Sequence, residues 1–191
     1  MIEKPSPTEK VAVGLIHHPM LNKTGDIVTT SVTTLDVHDM ARLSLTYGIL
    51  SIYIVTPLKT QQRLIARMTR HWTEGHGGEH NPHRKRALAH VKVVDTIDDM
   101  IDNFSLGKQE VTLVSTGAKS DGNCVSYAKA RQLLGSAGRS IVMFGTGHGM
   151  APEAMEKADI RLAPIEGAGD FNHLPVRCAA AIIIDRLLGR E

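Results

Sequence analysis

The sequence has little of several features that mark whole classes of protein. Its 191 residues include only two cysteines, Cys124 and Cys178, which lie far apart and without a CxxC or histidine spacing. This favours two free thiols in a reducing compartment over a disulfide framework or a zinc site. The longest apolar run, "AAAIIID", is far too short to span a bilayer, and no apolar signal core follows the polar start. We therefore expect a cytoplasmic protein that does not enter a membrane.

The common nucleotide-binding motifs are missing as well. The first apolar run contains Gly14 but no GxGxxG turn, and GxxxxGK[ST] does not occur. The formal net charge is only +2, so any contact with a nucleic acid must depend on local basic patches. What is present is ordinary: 42% of the residues are hydrophobic and 22% are charged, which is typical of a globular protein.

Short apolar runs alternate with amphipathic stretches along the chain. This alternation predicts a mainly parallel α/β sheet flanked by helices. No linker or repeat divides the chain, so we expect a single domain over residues 1–191, with residues 1–10 as a flexible lead-in. Asp36 and Thr96 are candidate N-caps, and Gly48 is a candidate helix stop. The predicted strands are 11–19, 49–57, 91–95, 111–115, 141–144 and 160–164, and the predicted helices are 36–47, 58–72, 96–104, 124–135 and 174–188.

Three glycine-rich loops follow predicted strands in the last third of the chain. They read "STGAK" from Ser115, "GTGHGM" from Gly145 and "IEGAGDFNH" from Ile165. In open parallel sheets, ligands bind beyond the carboxyl ends of the strands, and glycine lets the backbone approach them. A single glycine could simply make a tight turn from strand to helix. Three such loops together favour a pocket for a small molecule.

The same loops, with several N-terminal stretches, resemble the SPOUT superfamily of RNA methyltransferases that use S-adenosylmethionine (SAM). Within it, the chain is most similar to the family called SAM-dependent RNA methyltransferase, over nearly its whole length. This resemblance implies a C-terminal deep trefoil knot, with residues 110–191 as the knotted cofactor-binding part. The stretches that match are "HHPMLNKTGDIVTTSVTTLDVHDMARLSLTYGI", "YIVTPLKTQQ", "RHWTEGHGGEHNPHRK", "STGAK", "MFGTGHGM" and "GDFNHLPVRCAAAIIIDRL".

The resemblance also implies which residues hold SAM. The three loops would form a cup around the bent cofactor, largely through backbone groups. A side chain at Gly145 or Gly147 would intrude on the path of the ligand, so Gly147→Val is expected to abolish binding while the fold survives. The implied cofactor-binding residues are Ser115, Thr116, Gly117, Gly145, Thr146, Gly147, Ile165, Glu166, Gly167, Asn172, His173 and Leu174.

Two residues are candidates for the chemistry on the acceptor. Arg42 matches an arginine of the ribose-methylating branch, although the Asn-Val-Gly that precedes it there is not present here. Asp170 resembles the loop aspartate that accepts a proton in the tRNA guanine-N1 methyltransferases. Each has a simpler alternative: Arg42 pairs with Asp36 or Asp39 on its own helix, and Asp170 caps the closing helix.

Two polar regions are candidates for binding RNA. One follows the first strand and the other is the stretch "HWTEGHGGEHNPHRKR", where a tryptophan could stack on a base and basic side chains could meet phosphates. The alternative for the second region is a solvated basic helix with a packed tryptophan. Four histidines in this stretch suggest a metal site. However, the stretch contains no cysteine and is predicted to be non-helical, so we expect no metal site. The candidate RNA-binding residues are His18, Asn22, Lys23, Trp72, Arg84, Lys85 and Arg86.

The sequence thus predicts a SAM-dependent methyltransferase that acts on tRNA or rRNA. The resemblance implies a homodimer with the closing helix in its interface. Two other functions remain open at this point, namely an RNA-binding module that has kept the cofactor cup without catalysis, and an oxidoreductase that uses a nicotinamide cofactor.

Overall fold

A computed structural model describes residues 10–105, 110–120, 122–169 and 171–189. Of the predicted lead-in, only Lys10 belongs to these ranges. The strands are β1 Val11–Ile16, β2 Met20–Leu21, β3 Ile27–Val28, β4 Ser51–Val55, β5 Val91–Val94, β6 Val111–Ser115, β7 Arg139–Gly145 and β8 Ile160–Arg161. The helices are α1 Thr34–Thr46, α2 Lys59–Thr73, α3 His76–His80, α4 Pro82–Leu88, α5 Ile97–Ser105, α6 Tyr127–Ser136, α7 Pro152–Glu156 and α8 Val176–Leu188.

Six strands form one parallel sheet in the order β5-β4-β1-β7-β6-β8. This confirms the predicted mainly parallel α/β architecture. The central strands β1 and β4 are buried along their whole length, as expected for strands covered on both faces. The remaining two strands, β2 and β3, pair as a small antiparallel hairpin within a stretch that the sequence predicted as a loop.

Alternate residues of each strand feed two cores on opposite faces of the sheet. From β1, Val11, Val13 and Leu15 face the larger core, which α1, α2, α4, α6 and α8 cover. Ala12 and Ile16 face the smaller core, which α5 and α7 cover. This period of two follows from the pleat of a strand, and it explains why the buried strands read as continuous apolar runs.

Several element boundaries differ from the prediction for local reasons. Helix α1 begins at Thr34, and its N-cap is Thr33 rather than Asp36. The Thr33 hydroxyl oxygen accepts from the Asp36 amide at 3.1 Å and donates to the Asp36 carboxylate at 2.6 Å, so Asp36 is the third residue of the helix. Thr96 and Gly48 take their predicted roles, because Thr96 accepts from the Asp99 amide and Gly48 has φ 68° directly after the α1 cap.

Three helices of the described part of the chain form outside the five that the sequence predicted, and one of them is α4 at Pro82–Leu88. Helix α3 spans His76–His80, in the stretch that was expected to be irregular because of its glycines. Helix α7 spans Pro152–Glu156, with proline in its first turn. None of the helices in the described ranges combines the length and the apolar character that crossing a bilayer requires.

Candidate functional site

The sheet order places the three glycine-rich loops side by side. Strands β7, β6 and β8 are neighbours and run parallel, so the loops that follow them leave from one edge of the sheet. Backbone bonds join the segments after β6 and β8: the Val125 amide donates to the Arg161 carbonyl at 2.7 Å, and the Ala163 amide donates to the Val125 carbonyl at 2.9 Å. The segments after β6 and β8 are therefore joined directly, and the loop after β7 leaves from the same edge of the sheet.

The loop after β6 combines buried hydroxyl groups with an open glycine. Thr116 donates from Oγ1 to the Met143 carbonyl at 2.9 Å, which fixes the start of the loop to β7. Ser115 is buried, and its Oγ has no hydrogen-bond partner among the described residues. A Cβ on Gly117 would meet only the backbone of Lys119, at 3.7 Å and beyond, so the space above it is open. A small cleft here is lined by Ser115, Thr116, Gly117, Lys119, Cys124, Met155, Arg161 and Leu162.

The loop after β7 has glycines for a different reason. A Cβ on Gly145 would lie 2.9 Å from Met150 Cγ and 3.0 Å from Met20 Cε. Gly147 has φ 57°, and a Cβ there would lie 3.1 Å from Thr30 Cγ2. Both positions are thus restricted by packing inside the protein. The expectation that Gly147→Val spares the fold needs correction, because this substitution combines backbone strain with a steric contact.

The loop after β8 is exposed over most of its length. Glu166 and Gly167 are exposed, whereas Ile165 is half-buried against the larger core. Asn172 donates from Nδ2 to the Ala118 carbonyl at 2.9 Å, which connects this loop to the loop after β6. His173 and Leu174 are exposed, and they precede α8, whose N-cap is Pro175. The predicted catalytic residue Asp170 lies outside the described residues.

Arg42 is not paired as its simpler alternative required. Its side chain is exposed on α1. The two carboxylates that could have neutralised it, Asp36 and Asp39, instead face Arg177 of α8, at 3.1 Å and 3.5 Å. Within the described ranges Arg42 therefore presents an unpaired guanidinium beside a helix contact that connects α1 to the closing helix.

The polar residues after β1 differ in their availability. Asn22 holds a tight turn, because its Oδ1 accepts from the amides of Thr24 and Asp26, each at 2.9 Å, and its Nδ2 donates to Asp26. The half-buried His18 contacts Thr29 Oγ1 through Nδ1 at 3.1 Å. Lys23 is exposed in the turn. Of the three RNA-binding candidates here, Lys23 has the most accessible side chain.

Trp72 makes the contacts of a packed residue. It is half-buried against the larger core, and the Arg84 guanidinium lies 4.6 Å from its ring centroid. The rings of His38 and His71 approach it edge-on at 5.7 Å and 5.2 Å. Arg84 is half-buried in this position, whereas Lys85 and Arg86 are exposed. A contact between Trp72 and a base stays a prediction, and it would require the ring to be uncovered.

A basic groove lies beside this cluster, within the basic arm from Arg63 to Arg86 that the sequence predicts to contact RNA. It is lined by Arg67, Arg70, His71, Glu74 and Gly75. Arg63 is also exposed on the same helix. The signal for this surface is the spacing of the three arginines at i, i+4 and i+7, which places them on one face of α2.

The clustered histidines form a pair rather than a cage. Because α3 is helical, His76 and His80 stand one turn apart, and their Nε2 atoms are 2.8 Å apart. His76 Nδ1 also contacts the Glu79 carboxylate at 3.1 Å. A search of the described residues finds no group of three or more side chains arranged to hold a metal ion.

The fold and the loop edge define a class of protein: a parallel α/β domain with three loops beyond the carboxyl ends of three adjacent strands. The model of the family described as SAM-dependent RNA methyltransferase matches residues 10–189. The chain belongs to this family.

Relatives by sequence agree with this assignment. A tRNA (guanine-N(1)-)-methyltransferase of Nitratidesulfovibrio vulgaris is 42% identical over 184 residues, which cover 96% of this chain and 43% of that protein. An uncharacterized protein of Aquifex aeolicus is 40% identical over 96% of this chain and 90% of its own length. The chain therefore spans less than half the length of the tRNA methyltransferase relative.

A solved structure gives the same fold at low sequence identity. The SpoU methyltransferase AviRb from Streptomyces viridochromogenes, in complex with the cofactor AdoMet, aligns with a TM-score of 0.56 at 10% identity. The alignment covers 93% of this chain and 56% of AviRb. This likeness supports the fold.

Proposed function

We propose that this chain transfers the methyl group of SAM to RNA, with tRNA as the first substrate class to test. The observation that carries the proposal is the convergence of the loops after β6, β7 and β8 at one edge of the sheet, in a chain of the SAM-dependent RNA methyltransferase family. The similarity to the tRNA (guanine-N(1)-)-methyltransferase of Nitratidesulfovibrio vulgaris supports the choice of substrate.

The residues of the cup fit the cofactor. The buried Ser115 hydroxyl, which has no partner in the described part of the chain, is available for a polar atom of a ligand. Gly117 and Gly167 leave open space where a side chain would stand. Ser115 to Gly117 and Ile165 to Gly167 would hold the ligand from two sides, with Gly145 to Gly147 beneath it and Asn172 to Leu174 closing the cup. SAM supplies an electrophilic methyl group on its sulfonium.

The acceptor is proposed to be handled by Arg42 and Asp170. Arg42 is exposed, and Arg177 occupies the carboxylates that would otherwise neutralise it, so its charge is free to position an anionic or nucleophilic acceptor. Asp170, which belongs to the loop after β8 by sequence, is the proposed proton acceptor.

We further propose a homodimer in which Arg42 of one subunit faces the cup of the other. Exposed apolar side chains at the starts of α1 and α8 support this: Leu35 is 63% exposed, Phe171 78% and Leu174 44%. These residues flank the contact between Asp36 and Arg177, so they lie around one region of the surface.

The remaining proposals concern architecture and RNA. Residues 1–191 form one SPOUT domain, in which residues 110–191 contain the trefoil knot; the hydrogen bonds that join the segment after β8 to Val125 and Ala118 support this. RNA phosphates are bound by the basic surface of α2 and α4, including Arg84, Lys85 and Arg86. A cytoplasmic location is proposed because it would give the chain access to an RNA substrate.

The test is methyl transfer to RNA that lacks the modification. Total tRNA and rRNA from a strain without this chain are incubated with the protein and methyl-labelled SAM, and the nucleosides are identified by mass spectrometry. RNA from the parent strain is the matched control, because its target is already methylated. Label in one nucleoside of the deletion-strain tRNA alone is expected. SAM binding without transfer to any RNA would instead favour an RNA-binding module, and binding of NAD without SAM would favour an oxidoreductase.

A further inference from the structure

The loop after β7 rests on the N-terminal part of the chain. The Leu21 amide donates to the Gly149 carbonyl at 2.9 Å, and the His148 amide donates to the Leu21 carbonyl at 3.3 Å. Further along, the Ala151 amide donates to the Pro19 carbonyl at 3.1 Å. The segment that follows β1 therefore forms the floor beneath one side of the proposed cup.

A chain of polar side chains crosses the same contact. Thr30 Oγ1 lies 2.9 Å from His17 Nδ1 and 2.6 Å from Thr146 Oγ1. Thr146 Oγ1 in turn donates to the Ile16 carbonyl at 3.2 Å. The Thr30 hydroxyl also lies 3.4 Å from the His17 carbonyl, and either threonine can donate the bond between Thr30 and Thr146. Whichever way the protons are arranged, these contacts connect His17 to the end of β1 through Thr30 and Thr146.

The surroundings of His17 keep its ring in the neutral form. Its ring is completely buried, and burial lowers the pKa of His17 to about 4, against an opposing effect of the Asp36 charge. The neutral ring carries one N–H and one acceptor nitrogen, so Nδ1 can bond to the Thr30 hydroxyl in either tautomer. Its other nitrogen, Nε2, is buried and has no partner within the described ranges.

We infer that His17, Thr30 and Thr146 form a positioning relay. It holds the backbone of Gly145 to Gly149 in the position from which this backbone contacts the cofactor. The three side chains act through the loop, because the Thr146 hydroxyl points to Thr30 and Ile16 and is not available to a ligand in the cup. The part of this inference that concerns SAM rests on the proposed function. The part that concerns the loop does not.

The first test measures the loop in the absence of any cofactor. Thr30→Val keeps the methyl group beneath Gly147 and removes the hydroxyl. Amide hydrogen exchange of residues 145–149 should become about tenfold faster, since one hydrogen bond is lost on each side of the oxygen, and it should accelerate there more than in β4. Thr29→Val is the matched control, because its hydroxyl contacts His18 instead. Thr30→Ser restores the hydroxyl and should restore slow exchange. Unchanged exchange in Thr30→Val would overturn the relay.

The second test measures SAM affinity by calorimetry. Thr30→Val should bind SAM about tenfold more weakly than the parent, while Thr29→Val and Thr30→Ser stay within about threefold. Thr146→Val removes the next member of the relay, so the double variant should bind no more weakly than either single one. Additive losses, or a full affinity in Thr30→Val, would contradict the inference. A parent protein that binds no SAM would contradict the proposed function, and the exchange experiment would then decide the relay by itself.

Discussion

The loop after β7 and the loops after β6 and β8 have similar sequences but different physical situations. A side chain at Gly145 or Gly147 would come within about 3 Å of Met20, Met150 or Thr30. A Cβ at Gly117 or Gly167 would have no atom of the described residues nearer than 3.7 Å. At Gly145 and Gly147 the fold itself leaves little room for a side chain. At Gly117 and Gly167 it leaves room, which we propose is filled by SAM. Glycine alone does not tell these situations apart, but substitution does.

The largest effect is expected from filling the open side. Gly117→Val should weaken SAM binding on the order of a hundredfold or more, because its methyl groups would occupy ligand space, and it should leave the free energy of unfolding nearly unchanged. Gly135→Val is the matched control, since a Cβ on Gly135 would have no atom of the described ranges within 4 Å and Gly135 lies on α6, away from the three loops. Calorimetry and urea unfolding measure the two quantities. Normal SAM affinity in Gly117→Val would remove this loop from the cup.

Substitution of Arg42 tests whether the residues that act on the methyl acceptor are distinct from the loops that bind SAM. Arg42→Ala should bind SAM normally and transfer methyl groups on the order of a hundredfold more slowly. Asp170→Ala should behave in the same way. If the site is shared between subunits, mixing the two variants should restore part of the activity, because some heterodimers contain one intact site. Full activity in Arg42→Ala, or no recovery although subunits exchange, would contradict this arrangement.

Acidic pH should lower the free energy of unfolding through His17, which supports the loop after β7. Because the pKa of His17 falls from 6.5 to about 4 on folding, the unfolded chain binds this proton more readily. The stabilising effect is complete above pH 6.5 and is lost as the pH falls towards 4, by roughly 3 kcal/mol in total. Urea unfolding at pH 7, 6 and 5 should show this loss in the parent. In His17→Gln the decline should be smaller; an equal decline would mean that other groups cause it.

Filling the closed side should affect stability first. Gly145→Ala places a methyl group 2.9 Å from Met150 Cγ and should lower the free energy of unfolding by about 2 kcal/mol. Gly167→Ala is the counterpart in an open loop and should change it by less than about 0.5 kcal/mol. Both are measured by urea unfolding without a cofactor. Equal stability of the two variants would contradict the conclusion that packing restricts Gly145 but not Gly167.

The smallest effect concerns RNA. Replacing Arg67 and Arg70 with alanine should reduce the slope of log affinity against log salt concentration by about one for each lost phosphate contact, with SAM affinity unchanged. The combined replacement of Arg84, Lys85 and Arg86 tests the other basic helix in the same way. Filter binding of tRNA over a salt series measures the slope. An unchanged slope in both variants would contradict the proposal that RNA binds to this basic surface.

The sequence predicted the sheet well because its central strands are buried on both faces. Continuous apolar runs such as 49–57 leave little alternative to a parallel strand. Local signals were less decisive. Thr33 and Asp36 both suit a helix start, and only their reciprocal hydrogen bonds show that Thr33 is the cap. In α3, the glycines argued against a helix, yet packing against Trp72 and Lys85 overrides their propensity.

The candidate site was predicted as a set of loops, but the partners of its side chains were not. Thr146 is predicted to line the cup largely through its backbone, and the sequence did not show that its hydroxyl contacts Thr30, 116 residues away. The pairing of Arg177 with Asp36 and Asp39 is likewise a contact between the two ends of the chain. No periodicity or motif contains such distant pairs, because they depend on how α1, α8 and the loops come together in the fold.

The central claim is that three loops form one SAM site. Its most direct test is a titration of the isotope-labelled protein with SAM, followed by amide chemical shifts. The account predicts that shifts change in residues 115–117, 145–149 and 163–167 together, with one common affinity. It predicts no change in the groove of Arg67 and Arg70. Changes confined to one loop or to that groove, or no changes at saturating SAM, would contradict it.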